Sequence, residues 1–157
     1  MNLPTKPTAS SRNTRIGRIT LHCTENTICS LQLPCHAAAA PPPPPGSLAE
    51  LAFAQIEEYL VGKRRVFSLP LSAAGTTPFA RAILQAIEAI PYGCTATYGS
   101  LGPARAVGRI CAGNPLPLLI PCHRVIPANN PPGQYLGGQE LKIRLLILEQ
   151  TFSAPAG

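Results

Sequence analysis

Hydrophobic and polar positions follow β-strand spacing in the first part of the chain. Two β-prone runs, residues 15–23 and 27–33, are separated by the polar turn 24–26, and this arrangement predicts a hairpin. A third β-prone run covers residues 65–69. Residues 1–13 carry no hydrophobic pattern and are expected to form a disordered lead.

Helical spacing begins after the hairpin. Ser47, with Glu50 three positions later, has the form of a capping box and predicts a helix that ends near Gly62. Thr77 followed by Pro78 predicts the start of a second helix. The apolar face of this second helix recurs at intervals of three and four residues: Phe79, Ile83, Ile87 and Ile90.

The second half of the chain has the pattern of short helices separated by loops. Helices are predicted at residues 104–112 and 139–150. Between them lie the apolar run 115–126 and the glycine-rich loop 131–138. A helical C-terminal subdomain therefore follows the β-prone first part.

Two breaks in the pattern divide the chain. Alanine and proline interrupt all periodicity at residues 37–46, which predicts a stiff surface loop. The change from strand to helix spacing near residues 70–77 predicts a boundary between subdomains. The expected parts are a disordered lead, an N-terminal α/β subdomain, a C-terminal subdomain and a tail: residues 1–13, 14–74, 75–151 and 152–157.

The balance of charges narrows the choice of partners. The 157 residues include 13 Lys and Arg against 7 acidic residues, for a formal net charge of +6. This excess favours a polyanion such as nucleic acid. No apolar run approaches the roughly 18 residues that a membrane-spanning helix needs, and the polar start of the chain does not have the form of a signal peptide. The six cysteines are therefore expected to be free thiols of an intracellular protein.

One cysteine stands out by its neighbours. Cys122 follows Pro121 and precedes His123 and Arg124. The thiolate is the nucleophilic form of cysteine, and an adjacent base and cation help to form it. A cysteine in an apolar run is more often an inert core residue, so this pattern by itself leaves both interpretations open.

The residues around Cys122 resemble a known family. The sequence IPCHRVI occupies residues 120–126, after RAVG at 105–108 and NP at 114–115, and before YLGG at 135–138. In this order the motifs are similar to the active-site region of the O6-alkylguanine-DNA alkyltransferases, and the similarity covers most of the chain except the tails and the loop 37–46. The resemblance implies an α+β fold. A small β-containing, ribonuclease H-like N-terminal subdomain is expected, followed by a helical, winged-helix-like DNA-binding C-terminal subdomain.

The resemblance also implies catalytic roles for five residues. Cys122 is expected to accept the alkyl group, and His123 to draw its proton through a water. Glu149 matches the acid that orients this histidine, since an ionised carboxylate holds one tautomer of the imidazole and stabilises its positive form. Asn114 matches a hinge residue before the active-site segment. Tyr98 matches a phenol that assists rotation of the nucleotide and protonates the departing guanine.

Further residues are expected to contact DNA or to line the substrate pocket. The damaged base must leave the duplex to be reached, and Arg105 matches the residue that fills its place in the stack. The expected DNA contacts are Arg105, Ala106, Gly108, Arg124 and Ser100. The expected pocket residues are Tyr135, Leu136, Gly137, Gly138 and Pro121. Leu136 replaces a small residue of the family and is expected to narrow the pocket against bulky adducts.

The expected activity is a single-turnover repair reaction. The alkyl group moves from O6-alkylguanine, and also from O4-alkylthymine, to Cys122. An in-line displacement at the alkyl carbon needs no metal and no cofactor. The expected partner is double-stranded DNA that contains alkylated guanine, with no membrane contact and a monomeric protein. The expected location is the cytoplasm of a bacterial cell, or the nucleus if the source is eukaryotic.

Two other functions stay open at this point. The segment between Tyr98 and Arg105 is shorter than the helix-turn-helix of the family by about seven residues. A protein that binds alkylguanine without accepting the group, or a decayed family member, is therefore an alternative. A cysteine hydrolase using Cys122 and His123 is a weaker one, because neighbours on a strand point to opposite faces and suit a water-bridged contact better.

The remaining cysteines give no clear site. Cys23, Cys29, Cys35 and His36 offer metal-binding atoms, but their spacing lacks the paired knuckle of structural zinc sites. Buried or incidental thiols are the preferred interpretation there. Nothing in the sequence near Cys94 or Cys111 suggests a chemical partner.

Overall fold

The computed structural model describes residues 6–73 and 75–153. The chain divides into two compact units, residues 1–74 and 75–157. None of the helices in the described part of the chain is long and apolar enough to cross a membrane. Strands in the first unit and helices in the second agree with the α+β fold class expected from the sequence.

The N-terminal unit is built on a three-stranded antiparallel sheet. Its strands are β1 (Thr8–Thr14), β2 (Gly17–Cys23) and β3 (Ile28–Gln32), in the order β1-β2-β3. The hairpin predicted at residues 15–33 is confirmed by the pairing of β2 with β3. The central strand β2 has buried residues on both faces. Strands buried on both faces are rich in hydrophobic residues, so the sequence pattern predicted this one.

The prediction of a disordered lead over residues 1–13 is wrong from Thr8 onward. Those residues form β1, whose backbone pairs with β2 from Thr8 to Thr14. The strand is mostly polar, so backbone hydrogen bonds rather than apolar burial hold it, and a hydrophobicity pattern does not reveal it. Residues 1–5 lie outside the described residues.

The loop 37–46 lies against the edge of the sheet. The backbone N–H of Ser11 donates to the carbonyl of Pro41 at 3.0 Å, and the Ser11 hydroxyl bonds the carbonyl of Ala40 at 2.7 Å. Proline has no N–H, so the five prolines that begin at Pro41 cannot extend the sheet with a further ladder. The loop therefore covers an exposed strand edge.

Helix α1 (Leu48–Leu60) packs against this sheet. The Ser47 hydroxyl accepts from the Glu50 N–H at 3.2 Å, and the Glu50 carboxylate accepts from the Gly46 N–H at 3.1 Å. This reciprocal cap satisfies two backbone donors at the start of the helix. The buried residues on the inner face of α1 include Ala52, Phe53, Ile56 and Tyr59.

The prediction of a strand at residues 65–69 is wrong. The side-chain carbonyl of Gln55 accepts from the Ser68 N–H at 2.9 Å, and its NH₂ donates to the Ser68 carbonyl at 3.3 Å. A backbone held by a buried side chain has no need of a strand partner. Pairing begins only at Leu71, which forms an isolated bridge with Ile28.

The described part of the C-terminal unit, residues 75–153, contains four α-helices, one 3₁₀ turn and a two-stranded parallel ladder. The helices are α2 (Pro78–Glu88), α3 (Tyr98–Leu101), α4 (Ala104–Ala112) and α5 (Gln139–Ser153). Strands β4 (Ala96–Thr97) and β5 (Val125–Ile126) form the ladder. Helix α5 runs past the predicted end at residue 150, so residues 152–153 belong to a helix and not to a tail, and residues 154–157 lie outside the described residues.

Helix α2 begins as the sequence predicts, with the Thr77 hydroxyl accepting from the Ala80 N–H at 3.1 Å. Ile83, Ile87 and Ile90 are buried along one face. Phe79 was predicted to share that face, but its side chain is 51% exposed. It lies in the first turn of α2, at the end of the apolar face.

Helices α3 and α4 form a helix-turn-helix whose first helix has a single turn. The Thr97 hydroxyl caps α3 by accepting from the Ser100 N–H at 3.2 Å. Gly102 and Pro103 separate the two helices, and Pro103 is the N-cap of α4. Proline fixes its own φ and limits the residue before it to extended backbone, so α3 cannot continue.

Candidate active site

The segment before Cys122 is a buried turn held by Asn114. The side-chain carbonyl of Asn114 accepts from the Leu116 N–H at 2.9 Å, and its NH₂ donates to the carbonyl of Ile120 at 3.0 Å. Leu118 in this turn has φ of 77°, a left-handed conformation that side chains rarely adopt. Asn114 thus braces a strained turn directly before Cys122.

Cys122 opens a 3₁₀ turn (Cys122–Arg124) directly before β5, and its side chain is 3% exposed. Burial raises the pKa of its thiol to about 11. A hydrogen bond with the Asn114 side chain and the positive charge of Lys142 act in the opposite direction on this pKa. The thiol therefore keeps its proton at neutral pH and needs a base to become a nucleophile.

His123 and Glu149 form a fully buried pair. The His123 Nε2 lies 2.7 Å from a carboxylate oxygen of Glu149 on α5. Both side chains are at most 1% exposed. The structure thus brings together the histidine and the acid that the resemblance associates.

The Glu149 carboxylate has additional donors. The Arg124 Nε and Nη2 donate to its two oxygens at 2.8 and 3.1 Å, and the Gly93 N–H donates at 3.0 Å. Arg124 also donates from Nη1 to the carbonyl of Ile90 at 2.6 Å. The network ties α5 to the 3₁₀ turn and to the end of α2.

The prediction that Arg124 contacts DNA is wrong. Its side chain is buried, and it uses its guanidinium on Glu149 and on the carbonyl of Ile90. A bidentate guanidinium and carboxylate pair is a strong and directional contact. Arg124 therefore positions the acid behind His123. Arginine is seldom buried without a partner, and the sequence does not show that Glu149 provides one here.

A cavity of about 720 Å³ opens beside Cys122. Of the predicted pocket residues, Tyr135 and Leu136 line it, together with Tyr98 and Arg105 from the helix-turn-helix. The full lining is Tyr98, Arg105, Gly108, Arg109, Cys111, Ala112, Cys122, Pro127, Gly133, Gln134, Tyr135 and Leu136.

Three predicted pocket residues are not part of this lining. Pro121 is buried, and its carbonyl accepts from the Arg124 N–H at 2.9 Å. Gly138 has φ of 92° and turns the chain into α5, where its carbonyl accepts from the Lys142 N–H. Gly137 precedes it in the same turn. These residues shape the loops around the cavity and do not form its wall.

The predicted DNA contacts on α4 differ in exposure. Arg105 is exposed at the mouth of the cavity, and Gly108 lines it with open space where a Cβ would stand. Ala106 is half-buried and lies outside the lining. Ser100 is exposed on α3 and donates its hydroxyl to the carbonyl of Thr97 at 2.7 Å.

Two residues near Cys122 were not predicted from the sequence. Lys142 is fully buried, and its ammonium donates to the carbonyls of Val125 and Gln134 at 2.7 and 3.0 Å. Burial lowers the pKa of Lys142 below its ordinary value. Cys111 on α4 lines the same cavity as Cys122, a position for which the sequence around it gave no indication. Lys142 lies one turn from the buried Leu145 on α5, and Cys111 lies one turn from the buried Val107 on α4. This helical spacing predicts that both side chains face inward, and it was the signal available in the sequence.

No group of three metal-binding side chains occurs within residues 6–73 and 75–153. Cys23 is buried and Cys29 half-buried, while Cys35 and His36 are exposed. These four residues therefore do not converge on one point in the described part of the N-terminal unit.

The buried histidine predicts a stability that depends on pH. Burial lowers the pKa of His123 below 6.5, against the opposing effect of Glu149. Below pH 6.5 the unfolded chain takes up a proton that the folded chain does not, so the free energy of unfolding should fall as the pH drops, by up to about 1.4 kcal/mol per pH unit. Urea unfolding between pH 7 and 5 measures this slope. His123→Gln should unfold with a smaller slope, and equal slopes in both proteins would contradict the assignment.

The site and the fold together define a class of protein. A buried cysteine with a histidine and glutamate pair behind it lies beside a helix-turn-helix, which is a nucleic-acid-binding motif. The family model of the 6-O-methylguanine DNA methyltransferase ribonuclease-like domain matches residues 9–73, and that of the DNA binding domain of the same family matches residues 78–151. The chain therefore belongs to the 6-O-methylguanine DNA methyltransferase family.

Individual relatives agree with this assignment. The constitutive methylated-DNA–protein-cysteine methyltransferase of Bacillus subtilis is 44% identical over 112 residues, which cover 66% of this chain and 67% of that protein. The Mycobacterium leprae protein of the same name is 39% identical over 112 residues, 67% of each chain. The crystal structure of Mycobacterium tuberculosis O6-methylguanine methyltransferase has 31% identity and a TM-score of 0.81, covering 96% of both chains. The structure of the Mycobacterium tuberculosis protein OGT in complex with DNA has 33% identity and a TM-score of 0.82, covering 94% of this chain and 95% of that one.

Proposed function

We propose that this protein repairs DNA by moving an alkyl group from O6 of guanine to the sulfur of Cys122, once per molecule. The observation that carries the proposal is the position of Cys122. Its thiol lines a cavity beside the helix-turn-helix, and the next residue in the chain is His123, which is paired with Glu149. The S–C bond forms as the C–O6 bond breaks, and the thiol proton ends on the released guanine.

The transfer begins with removal of the thiol proton. Because the pKa of Cys122 is raised to about 11, only a small fraction is thiolate at neutral pH. His123 is neutral there, since burial lowers its pKa, and can accept the proton through an intervening water. Glu149 stabilises the imidazolium that results, and Arg124 holds Glu149 in place.

The DNA side of the site is the exposed face of α4. Arg105 and Arg109 lie one helical turn apart at the mouth of the cavity, and both are exposed. Among the described residues of the cavity wall none is acidic, so this opening is cationic and suits phosphate groups. Arg105 takes the place of the extruded base, while Ser100, Ala106 and Gly108 allow the DNA backbone to approach.

The cavity is the pocket for the extruded base. Tyr98 and Tyr135 line it with aromatic rings. Burial raises the pKa of the Tyr98 phenol, so this phenol keeps its proton and can give it to the departing guanine. Leu136 narrows the pocket and favours small alkyl groups. A pocket of this size also admits O4-alkylthymine, which is a smaller base.

The protein acts as a monomer on double-stranded DNA, in the compartment that holds the DNA. The relatives named above come from bacteria, and this supports the cytoplasm as that compartment.

Binding of alkylated guanine without transfer is the second candidate. The single turn of α3 favours it, because a short first helix offers fewer contacts to the DNA backbone. The acceptor thiol in the cavity wall favours transfer.

Intact-protein mass spectrometry tests the proposal. The protein is mixed with a duplex oligonucleotide that carries one O6-methylguanine, and we expect its mass to rise by one methylene. Cys122→Ala should show no gain. Cys94→Ala, which removes an exposed cysteine of the same unit, should gain the methylene as the parent does. A folded parent protein without any gain, but with tighter binding to the damaged duplex than to an undamaged one, would establish the second candidate.

A further inference from the structure

A second thiol lies in the wall of the cavity that Cys122 lines. Cys111 is on the inner face of α4, one turn after the buried Val107, and its side chain is 8% exposed. The alkyl-transfer steps described above do not use it. The Asn114 turn reverses the chain between Cys111 and Cys122, so that the end of α4 and the start of the 3₁₀ turn face one space.

Both thiols act on the same ionisable neighbours in the wall of this cavity. The pKa of Tyr98 is raised by burial and further by both Cys111 and Cys122. The pKa of Lys142 is lowered by burial, and both thiols oppose that change. Burial, and then the proximity of Cys122, raise the pKa of Cys111 to about 12. The shared cavity wall carries the placement of the two thiols, and these pKa shifts are consistent with it.

We propose that Cys111 and Cys122 form a dithiol site that hydroperoxides oxidise to a disulfide, which masks the alkyl acceptor reversibly. This inference rests on the proposed function for its consequence, though not for its chemistry. The Cys122 thiolate attacks the peroxide, the O–O bond breaks, and a sulfenic acid and hydroxide form. The Cys111 sulfur then displaces the hydroxyl group from Cys122 as water. Overall two thiols are oxidised, and one hydrogen peroxide is reduced to two waters.

The order of these steps follows from the surroundings of the two sulfurs. The charge of Lys142 favours the thiolate of both cysteines, and Cys122 has in addition a hydrogen bond with Asn114, so Cys122 reacts first. Cys111 is protonated and acts as the resolving thiol. Without a resolving thiol a sulfenic acid proceeds to sulfinic and sulfonic acids, which thiol reductants do not reverse. The pair therefore protects an acceptor that each molecule can use only once.

The test uses the full chain and hydrogen peroxide, with mass as the first readout. Residues 110–124 form one tryptic peptide, which contains Cys111 and Cys122 and no other cysteine. We expect this peptide to lose two hydrogens on oxidation and to regain them with dithiothreitol. In Cys111→Ser the same peptide should gain two or three oxygens that dithiothreitol does not remove. Cys94→Ser is the matched control and should behave as the parent.

Alkyl transfer supplies the second readout. Peroxide should abolish transfer in the parent and in Cys111→Ser, and dithiothreitol should restore it in the parent alone. Cys111→Ala serves as a second variant that introduces no hydroxyl group into the cavity. Equal oxygen gain in the parent and in both variants would overturn the inference, as would disulfides that leave peptide 110–124 unchanged. Because the mass readout needs no DNA, its failure is distinct from failure of the proposed function.

Discussion

Replacing Arg124 with methionine should lower the free energy of unfolding of the C-terminal unit by about 3 to 5 kcal/mol. The arginine donates to both oxygens of Glu149, and both side chains are buried. Removing it leaves a buried carboxylate with its charge uncompensated on one side. The carbonyl of Ile90 loses a donor as well.

A double variant separates this effect from simple loss of packing. Arg124→Met combined with Glu149→Leu removes both charges and should be more stable than Arg124→Met alone, because an apolar pair carries no desolvation penalty. Arg81→Met, on the exposed side of α2, is the control and should change stability by less than about 0.5 kcal/mol. Urea unfolding followed by circular dichroism measures the free energies, and hydrogen exchange in α5 locates the loss. A double variant no more stable than the single one would show that the uncompensated charge of Glu149 is not the source of the loss.

Much of the fold could be predicted from local signals. Ser47 and Thr77 mark helix starts, because a hydroxyl directly before a helical run commonly accepts a hydrogen bond from a backbone N–H of the first turn. Strand β1 could not be predicted in this way, since its stability comes from pairing with β2 and not from an apolar face. The prediction of a strand at residues 65–69 was wrong for the opposite reason. The side-chain amide of Gln55, which is distant in the sequence, bonds the backbone of Ser68, so this segment does not pair as a strand.

The site was predictable where the motif itself carries the chemistry. Cys122 and His123 are adjacent in the chain, and the family resemblance supplied Glu149 across 26 residues. Arg124 and Lys142 could not be placed, because charged side chains are rarely buried and the sequence does not show the carbonyls and the carboxylate that accept their hydrogen bonds. Helical spacing indicates that Cys111 faces inward, but it does not show that Cys111 lines the same cavity as Cys122, since the Asn114 turn lies between them.

Replacing Glu149 with glutamine should slow alkyl transfer by roughly 10² to 10⁴-fold at neutral pH. The amide keeps the size of the side chain but removes the negative charge of Glu149, which raises the pKa of His123 against the effect of burial. The imidazolium then costs more to form, so the base withdraws the Cys122 proton less readily. Glu140→Gln, at an exposed position in the first turn of the same helix, is the control and should transfer at the parent rate.

The dependence on pH shows whether Glu149 acts through proton transfer. In Glu149→Gln proton removal by His123 is weakened, so transfer depends on the Cys122 thiolate already present in solution equilibrium, whose fraction rises about tenfold per pH unit until the pH approaches the thiol pKa of about 11. In the parent His123 is already neutral at pH 7, so the rate should change little between pH 7 and 9. The ratio of parent to variant rates should therefore shrink by about tenfold for each pH unit in that range. Quenched-flow transfer from a duplex with O6-methylguanine gives these rates. Parallel profiles with a constant ratio would mean that Glu149 only positions the 3₁₀ turn and takes no part in moving the proton.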